Sequence, residues 1–277
     1  MTRELDTFTR RSIILKKLNF ENSKSVFSLS KECNVSLATI RRDLNALEKE
    51  GSLLRTHGGA TLKSSASNQR FTTRENISKE EKIQIAHSAL EFIKPGISIA
   101  MNDGTTNYYF SKLLLNLKKN LTIITSGINT AIVLSENKNF LCYLAGGQVK
   151  NSVLATSGSH AENMIESYNP DIAFISADGF TPQQGLTFAY EGEANIAKKM
   201  IKRSKKSIAL ITEEKLNIIE NISSASCKEV DILITCSKKD YLLKPFKEKK
   251  MKVINAKINK KTAKDSNSNV IKFNDAR

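Results

Sequence analysis

Two sets of residues in this chain have the types and spacing that recognition chemistry needs. The first is Ser36, Ala38, Thr39, Arg41, Arg42 and Asn45, followed closely by Arg55 and His57. Guanidinium groups make paired bonds to guanine or clamp phosphates, and a Thr methyl can meet the methyl of thymine. Such side chains, if one element presents them together, suit a surface that reads double-stranded DNA. The second set recurs along the later sequence: Asp103, Gly104, Thr105 and Thr106, then Ser126 and Asn129, then Gly146 and Gly147, then Asp178 and Gly179, with Glu191 and Lys215 beyond. Gly with Ser or Thr at the start of a helix offers backbone N–H groups and hydroxyls to an anion, helped by the helix dipole. Lys215 adds an ammonium, and Asp103 a carboxylate that can accept from a ligand hydroxyl.

The first set needs a capped helix to present it. Residues 9–18 read as a first helix with Ile13, Ile14 and Leu18 on one face, and residues 19–24 as a polar loop. Val26, Leu29 and Cys33 line the buried side of a second helix, and Asn34 and Val35 make a tight turn. Ser36 is a good N-cap for the third, in which Ile40, Leu44 and Leu47 face inward and the basic residues outward. Gly51 ends that helix. A strand over 52–57, a turn at Gly58 and Gly59 and a strand over 60–62 would then form a small β wing carrying Arg55 and His57. This is winged helix-turn-helix organisation; the plain alternative for the third helix by itself is a solvated amphipathic helix with a basic face.

The second set needs strand ends. Residues 63–78 are polar and lack apolar periodicity, which reads as a linker. An amphipathic helix over 79–93 follows, with Ile83, Ala86, Leu90 and Ile93 inward. Strands are expected at 97–101, 121–125, 140–144, 172–176, 207–211, 231–235 and 251–254, and helices at 107–117, 128–135, 159–167, 191–204 and 238–247. Strands apolar on both faces, alternating with helices, imply an α/β fold with a mainly parallel sheet, whose ligands bind beyond the carboxyl ends of strands. The loop over 102–106 is the best anion cradle. A tight turn is the plain alternative for any one Gly pair. The expected domains are 1–62 for DNA, 63–78 as linker, 79–256 as sensor and 257–277 as a basic flexible tail.

Charge supports this only in part. The formal net charge is +15, but residues 1–62 carry 11 Lys/Arg against 7 Asp/Glu, whereas residues 238–277 carry 13 against 4. Hydrophobic residues at 40% and charged residues at 26% indicate a globular chain. No run of 18 apolar residues occurs and no apolar stretch follows Met1, so neither a membrane span nor a signal peptide is expected, and a cytoplasmic location is. Cys33, Cys142, Cys227 and Cys236 are too scattered for a zinc or redox motif, and three separate His make no metal site. No cofactor is expected.

The run Thr39, Ile40, Arg41, Arg42, Asp43, Leu44, then Leu47, Glu48 and Gly51, then Arg55 through Ala60, resembles the signature of the DeoR family of bacterial sugar-metabolism regulators. The second half is similar to that family's sensor domain at Asp103 through Thr106, Thr125 with Asn129, Gly146 and Gly147, Asp171 through Phe174, Gly179, and Glu191 with Glu193. Two positions depart from the family pattern. Thr212, Glu213, Glu214 and Lys215 stand where Asp-Ser-Ser-Lys is usual, and Ser126 where Asn is common. The resemblance implies a fold related to ribose-phosphate isomerases, a phosphorylated sugar or glycolytic intermediate as effector, and repression of a sugar-metabolism operon. An operator with repeated half-sites would call for a homo-oligomer. The competing class is an isomerase-like enzyme using Asp103, Glu191, Glu193 and Lys215 for proton transfer. A catalyst has no need of a winged helix, so the chain is read as a regulator with no catalytic residues. A ligand-free architectural DNA-binding protein leaves the large second domain unexplained.

Overall fold

The structure, a computed structural model, describes residues 7–21, 23–49, 53–56, 58–62 and 71–256. Gly51, His57 and the expected tail 257–277 lie outside the described residues. The chain divides into two compact units, residues 1–68 and 69–277.

The first unit runs α1 (Thr7–Glu21), β1 (Ser23–Ser25), α2 (Val26–Cys33), α3 (Leu37–Lys49), β2 (Leu53–Thr56) and β3 (Gly59–Leu62). Ser25 caps α2 by accepting from the Ser28 N–H at 3.0 Å, and Asn34 ends it in the left-handed region, at φ 50°. Ser36 Oγ accepts from the Thr39 N–H at 3.1 Å and so caps α3. Ile14, Leu18, Val26, Leu29, Cys33, Ile40, Leu44, Leu47, Leu53 and Ala60 form one buried cluster. The expected polar loop over 19–24 is instead the end of α1 followed by β1. That strand is made by pairing with β3, whose Ala60 lies opposite Lys24, and no local pattern announces it. The wing turns between Thr56 and Gly59, with Gly58 at φ 89°, and Gly59 is already in the strand. A Cβ at Gly59 would run into the Lys24 carbonyl, so β1 can approach only a glycine there.

The second unit runs α4 (Phe71–Asn76), α5 (Lys79–Ala89), β4 (Ser98–Met101), α6 (Thr105–Leu114), β5 (Leu121–Thr125), α7 (Ile128–Ser135), β6 (Phe140–Leu144), β7 (Gln148–Lys150), β8 (Ala155–Ser157), α8 (Ser159–Glu166), β9 (Ile172–Ile175), β10 (Gly179–Thr181), β11 (Gly185–Phe188), α9 (Glu191–Arg203), β12 (Lys206–Leu210), β13 (Ile222–Ala225), β14 (Ile232–Thr235), α10 (Asp240–Glu248) and β15 (Lys252–Asn255). Seven strands form a parallel sheet in the order β15-β14-β12-β9-β4-β5-β6. Ile99, Met101, Phe174, Ile208, Leu210 and Ile234 pack on the side of Ile85, Phe110 and Leu134, from α5 to α7. Ala100, Ile124, Ala173, Ile175, Ala209 and Leu233 pack on the other, against α8, α9 and α10. Strands buried on both faces explain the apolar runs of the sequence. β4 is laid down first and the chain builds outward to β6, then returns to lay β9 on its other side. The strand order therefore reverses between β4 and β9, where such sheets hold ligands.

Two expectations are corrected. The linker proposed for 63–78 contains α4, in which Phe71 and Arg74 are buried. On α5 the buried residues are Lys82, Gln84, Ile85, Ala86 and Ala89, with Ile83 and Leu90 only partly covered. The antiparallel sheet β10-β11-β13 and the hairpin β7-β8 are additions that the alternation of parallel strands does not reveal.

Candidate functional site

Ser36, Ala38, Arg41, Arg42 and Asn45 are exposed on α3, and Thr39 is half-buried in its first turn. Ala38, Arg41, Arg42, Asn45, Ala46 and Lys49 line one shallow concavity along the helix. Ala46 and Lys49 were not singled out from the sequence, although one and two turns of the helix separate them from Arg42. The same helix turns Asp43 inward, where Arg10 Nε donates to Oδ2 at 2.6 Å and Arg11 Nε to Oδ1 at 3.2 Å. Acid and base on one helix are thus sorted, the carboxylate to the α1 interface and the guanidiniums to solvent. Arg55 reaches from the wing to α3, where its Nη1 donates to Asn45 Oδ1 at 2.6 Å and its backbone N–H to Glu48 Oε1 at 3.0 Å. His57 lies outside the described residues.

In the second unit the strand-order reversal gathers the other set. α6 begins at Thr105 directly after Gly104, and no side chain caps it. Gly104 sits at φ 122°, and a Cβ there would lie 2.9 Å from Ser176 Cβ. Only glycine satisfies both constraints. The Asp103 N–H donates to Ser126 Oγ at 3.1 Å, which ties the ends of β4 and β5 together. Thr105, Thr106 and Asp103 are buried. Asp178, after β9, places Oδ1 3.8 Å from Arg74 Nη1 and 3.9 Å from Lys215 Nζ, and Lys215 also donates to the Ala177 carbonyl at 2.8 Å. Lys150 Nζ lies 3.7 Å from Glu193 Oε1 and over the Tyr190 ring.

Arg74 and Glu193 also belong to this cluster, and sequence reasoning did not place them in it. Arg74 lay in a segment without periodicity, although a basic residue beside the apolar Phe71 was the available signal. Its side chain is 7% exposed, and its Nε and Nη2 have no hydrogen-bond partner. Ser176 Oγ and Glu193 Oε1 are buried without a hydrogen bond as well. Leaving such groups unmet costs about 1–3 kcal/mol each, more when charged, unless something else meets them. Burial, together with Asp103 and Asp178 nearby, pushes the Glu193 carboxyl up to about 8. Burial raises Asp103 to about 6, with Arg74 pulling the other way. Burial lowers the Lys150 ammonium against the pull of Glu193.

The remaining expected residues are distributed differently. Glu191 is exposed at the first position of α9, and Glu193, two residues on, is buried. Asn129 is half-buried in the first turn of α7. Gly179 starts β10, where a Cβ would meet the Ile218 carbonyl, and a Cβ at Gly147 would meet the Ser157 carbonyl. Both glycines serve close backbone approach. Gly146 stands in open space. Among the described residues no group of three His, Cys, Asp or Glu side chains could hold a metal ion.

Comparison with known proteins adds to this geometry. Residues 10–66 match the DeoR-like helix-turn-helix domain and residues 77–237 the DeoR C terminal sensor domain. The chain is 36% identical to the HTH-type transcriptional regulator GolR of Listeria innocua, covering 83% of this chain and 91% of that protein. It is 34% identical to the HTH-type transcriptional repressor GlcR of Bacillus subtilis, over 73% and 77%. Among solved structures, ribose 5-phosphate isomerase A from Methanocaldococcus jannaschii aligns with a TM-score of 0.37 and 17% identity, over 50% of this chain and 54% of that one.

Proposed function

The chain belongs to the DeoR family, and on that premise we propose that it is a DNA-binding transcriptional repressor of a sugar-metabolism operon. It releases its operator when a phosphorylated sugar or glycolytic intermediate occupies the cluster around Arg74, Asp103 and Lys215. Residues 1–62 are the DNA-binding domain and residues 79–256 the sensor, with α4 added to the sensor. The observation that carries the sensor reading is the buried Arg74 guanidinium with two unpartnered nitrogens, close to an uncapped helix start and to Lys215. A phosphate matches these donors in charge and geometry. The carboxylates of Asp103, Asp178 and Glu193 suit the hydroxyls of a sugar. On the DNA side, Arg41, Arg42 and Asn45 reach base edges from α3, with Ser36, Ala38 and Thr39 at its start and Arg55 and His57 on the phosphates. The repressor named GlcR among the relatives supports the direction of control. Among the described residues no helix is long and apolar enough to cross a membrane, and we place the protein in the cytoplasm with the chromosome. It acts as a homo-oligomer, because one helix-turn-helix unit covers a single half-site.

Calorimetry with a panel of sugar phosphates tests the sensor, and fluorescence anisotropy on chromosomal sites recovered with the protein tests the switch. A phosphorylated ligand is expected to bind wild type far more tightly than its unphosphorylated parent and to lower affinity for DNA. Thr105→Val with Thr106→Val, and Arg74→Gln, should each weaken that binding at least tenfold without unfolding the protein. Wild-type affinity in both variants would place the phosphate elsewhere.

A further inference from the structure

α4, the element that carries Arg74, has six residues, too few to hold a helix by themselves. Its place is therefore set by what grips it. At its start the Phe71 N–H donates to the Ser152 carbonyl at 2.9 Å, in the loop between β7 and β8, and the Phe71 ring meets Tyr108 of α6 edge-on. At its end Lys82 of α5 takes over, its ammonium donating to the carbonyls of Arg74 and Ile77, each at 2.5 Å. The last turn of a helix leaves such carbonyls without partners, and a cation is favoured there. Lys82 is 3% exposed. Burying an ammonium is costly and lowers Lys82 to about 8, yet among the described residues no carboxylate hydrogen-bonds to it. Its donors go to the α4 backbone.

The preceding residue does the same for the second cation of the site. Glu81 Oε1 accepts from the Glu213 N–H at 2.5 Å, and Glu213 opens the short turn Glu213–Lys215 after β12. Two adjacent residues of α5 thus hold the backbone of the two segments that supply Arg74 and Lys215. Both cations approach one atom, Asp178 Oδ1, at 3.8 and 3.9 Å. We propose that Lys82 and Glu81 are positioning residues of the sensor, a bracket on α5 that sets the Arg74 guanidinium against the Lys215 ammonium and so fixes the grip on a phosphate. The inference rests on the reading of this cluster as a phosphate site. Lys82 acts through Arg74, because the atom that could meet a ligand is committed to the Arg74 and Ile77 carbonyls. A binding group loses much of its worth when its support leaves it about 1 Å out of place.

The test is a pair of double-mutant cycles on the full chain, with inorganic phosphate as the probe and phosphorus NMR titration as the readout. Lys82→Met should weaken phosphate binding about tenfold in wild type and less than about twofold once Arg74 is Gln, since a residue that acts only through Arg74 has nothing left to position. Glu81→Ala should behave in the same way against Lys215→Met. Glu81→Gln, whose amide oxygen still accepts from the Glu213 N–H, should keep wild-type affinity. A merely structural role would weaken binding equally in both backgrounds of each cycle. Hydrogen exchange without phosphate should show residues 71–77 opening faster in Lys82→Met while the sheet keeps its protection. Equal losses in both backgrounds, or unchanged exchange at 71–77, would overturn the bracket. Should Lys82→Met fail to fold, the Glu81 cycle and its Gln rescue decide. The two readings stay apart: a wild type that binds no phosphate sinks the sensor site and the bracket together, whereas wild-type binding with additive losses sinks only the bracket.

Discussion

Asn102 and Ser176 hold each other across the strand-order reversal. The Ser176 N–H donates to Asn102 Oδ1 at 2.8 Å, and Asn102 Nδ2 donates to the Ser176 carbonyl at 2.9 Å. Asn107 reinforces the pair by donating to Oδ1 of Asn102 and to the carbonyls of Asn102 and Phe174. These bonds fix the spacing between the loop that starts α6 and the loop that carries Asp178, and therefore the width of the proposed phosphate site. Asn102→Ala should cost about 1–3 kcal/mol, the penalty for leaving its buried partners unmet. Urea denaturation reads this as a lower midpoint with an unchanged slope. An unchanged midpoint would mean that the loops are held by other contacts.

The DNA surface makes a separate prediction. Arg41→Ala or Arg42→Ala should weaken specific binding by about 1–3 kcal/mol if the side chain reads a base. Arg55→Ala should weaken binding evenly across sequences and lower the salt slope by roughly one phosphate contact. Since Arg55 is tied to Asn45 in the free protein, Asn45→Ala should free Arg55 for its phosphate and lose only the base contact of Asn45 itself, with those of Arg41 and Arg42 kept. Gel shifts at several salt concentrations separate these outcomes, and wild-type binding by both Arg41→Ala and Arg42→Ala would move recognition off α3.

Asp43 lies on the same helix and has the opposite duty. With two guanidiniums on one buried carboxylate, Asp43→Ala removes the acceptor to which both Arg10 and Arg11 donate, at a cost of about 1.5–3 kcal/mol per charge-assisted bond. Differential scanning calorimetry of the full chain should show the first unit melting earlier, with the sensor transition in place. A single unshifted profile would mean that the pair contributes little.

The sequence was most legible where periodicity and local chemistry coincide. β5, β6 and α7 occupy the predicted positions, because each is decided by its own apolar pattern and a flanking turn. Ser36 as a cap and Arg41 as an exposed base follow from helical spacing alone. What escaped was set by partners far away in the chain. β1 exists because β3 accepts it, and β10, β11 and β13 exist because they cover one another. Arg74 belongs to this second kind, since its segment is polar and its burial depends on loops about 100 residues later. Glu191 and Glu193 repeat the lesson at smaller scale: both sit in the first turn of α9, and only packing decides which is buried.

The electrostatics of the site yield the last prediction. Buried Glu193 at about 8, half-buried Glu81 of α5 at about 7 and buried Asp103 at about 6 hold their protons more tightly folded than unfolded, in each case chiefly through desolvation. Where the folded state binds more protons, stability falls as pH rises. The contribution of these groups is complete below their ordinary carboxylate range and is lost progressively up to pH 8. Lys82, lowered to about 8 mainly by burial, works in the opposite direction from about pH 7 upward and offsets part of the fall. Between pH 7 and 8 Glu193 is the principal acid still losing its proton, so Glu193→Gln should flatten the fall of the melting temperature in that window. Ligand binding should share this dependence. A phosphate dianion beside Glu193 favours the protonated carboxyl, so binding above pH 7, where the phosphate itself is already charged, should take up a proton and weaken as pH rises. Calorimetry in two buffers of different ionisation heat measures that uptake directly. Its presence in wild type and loss in Glu193→Gln is the expected result, and equal uptake in both would assign the proton to another group.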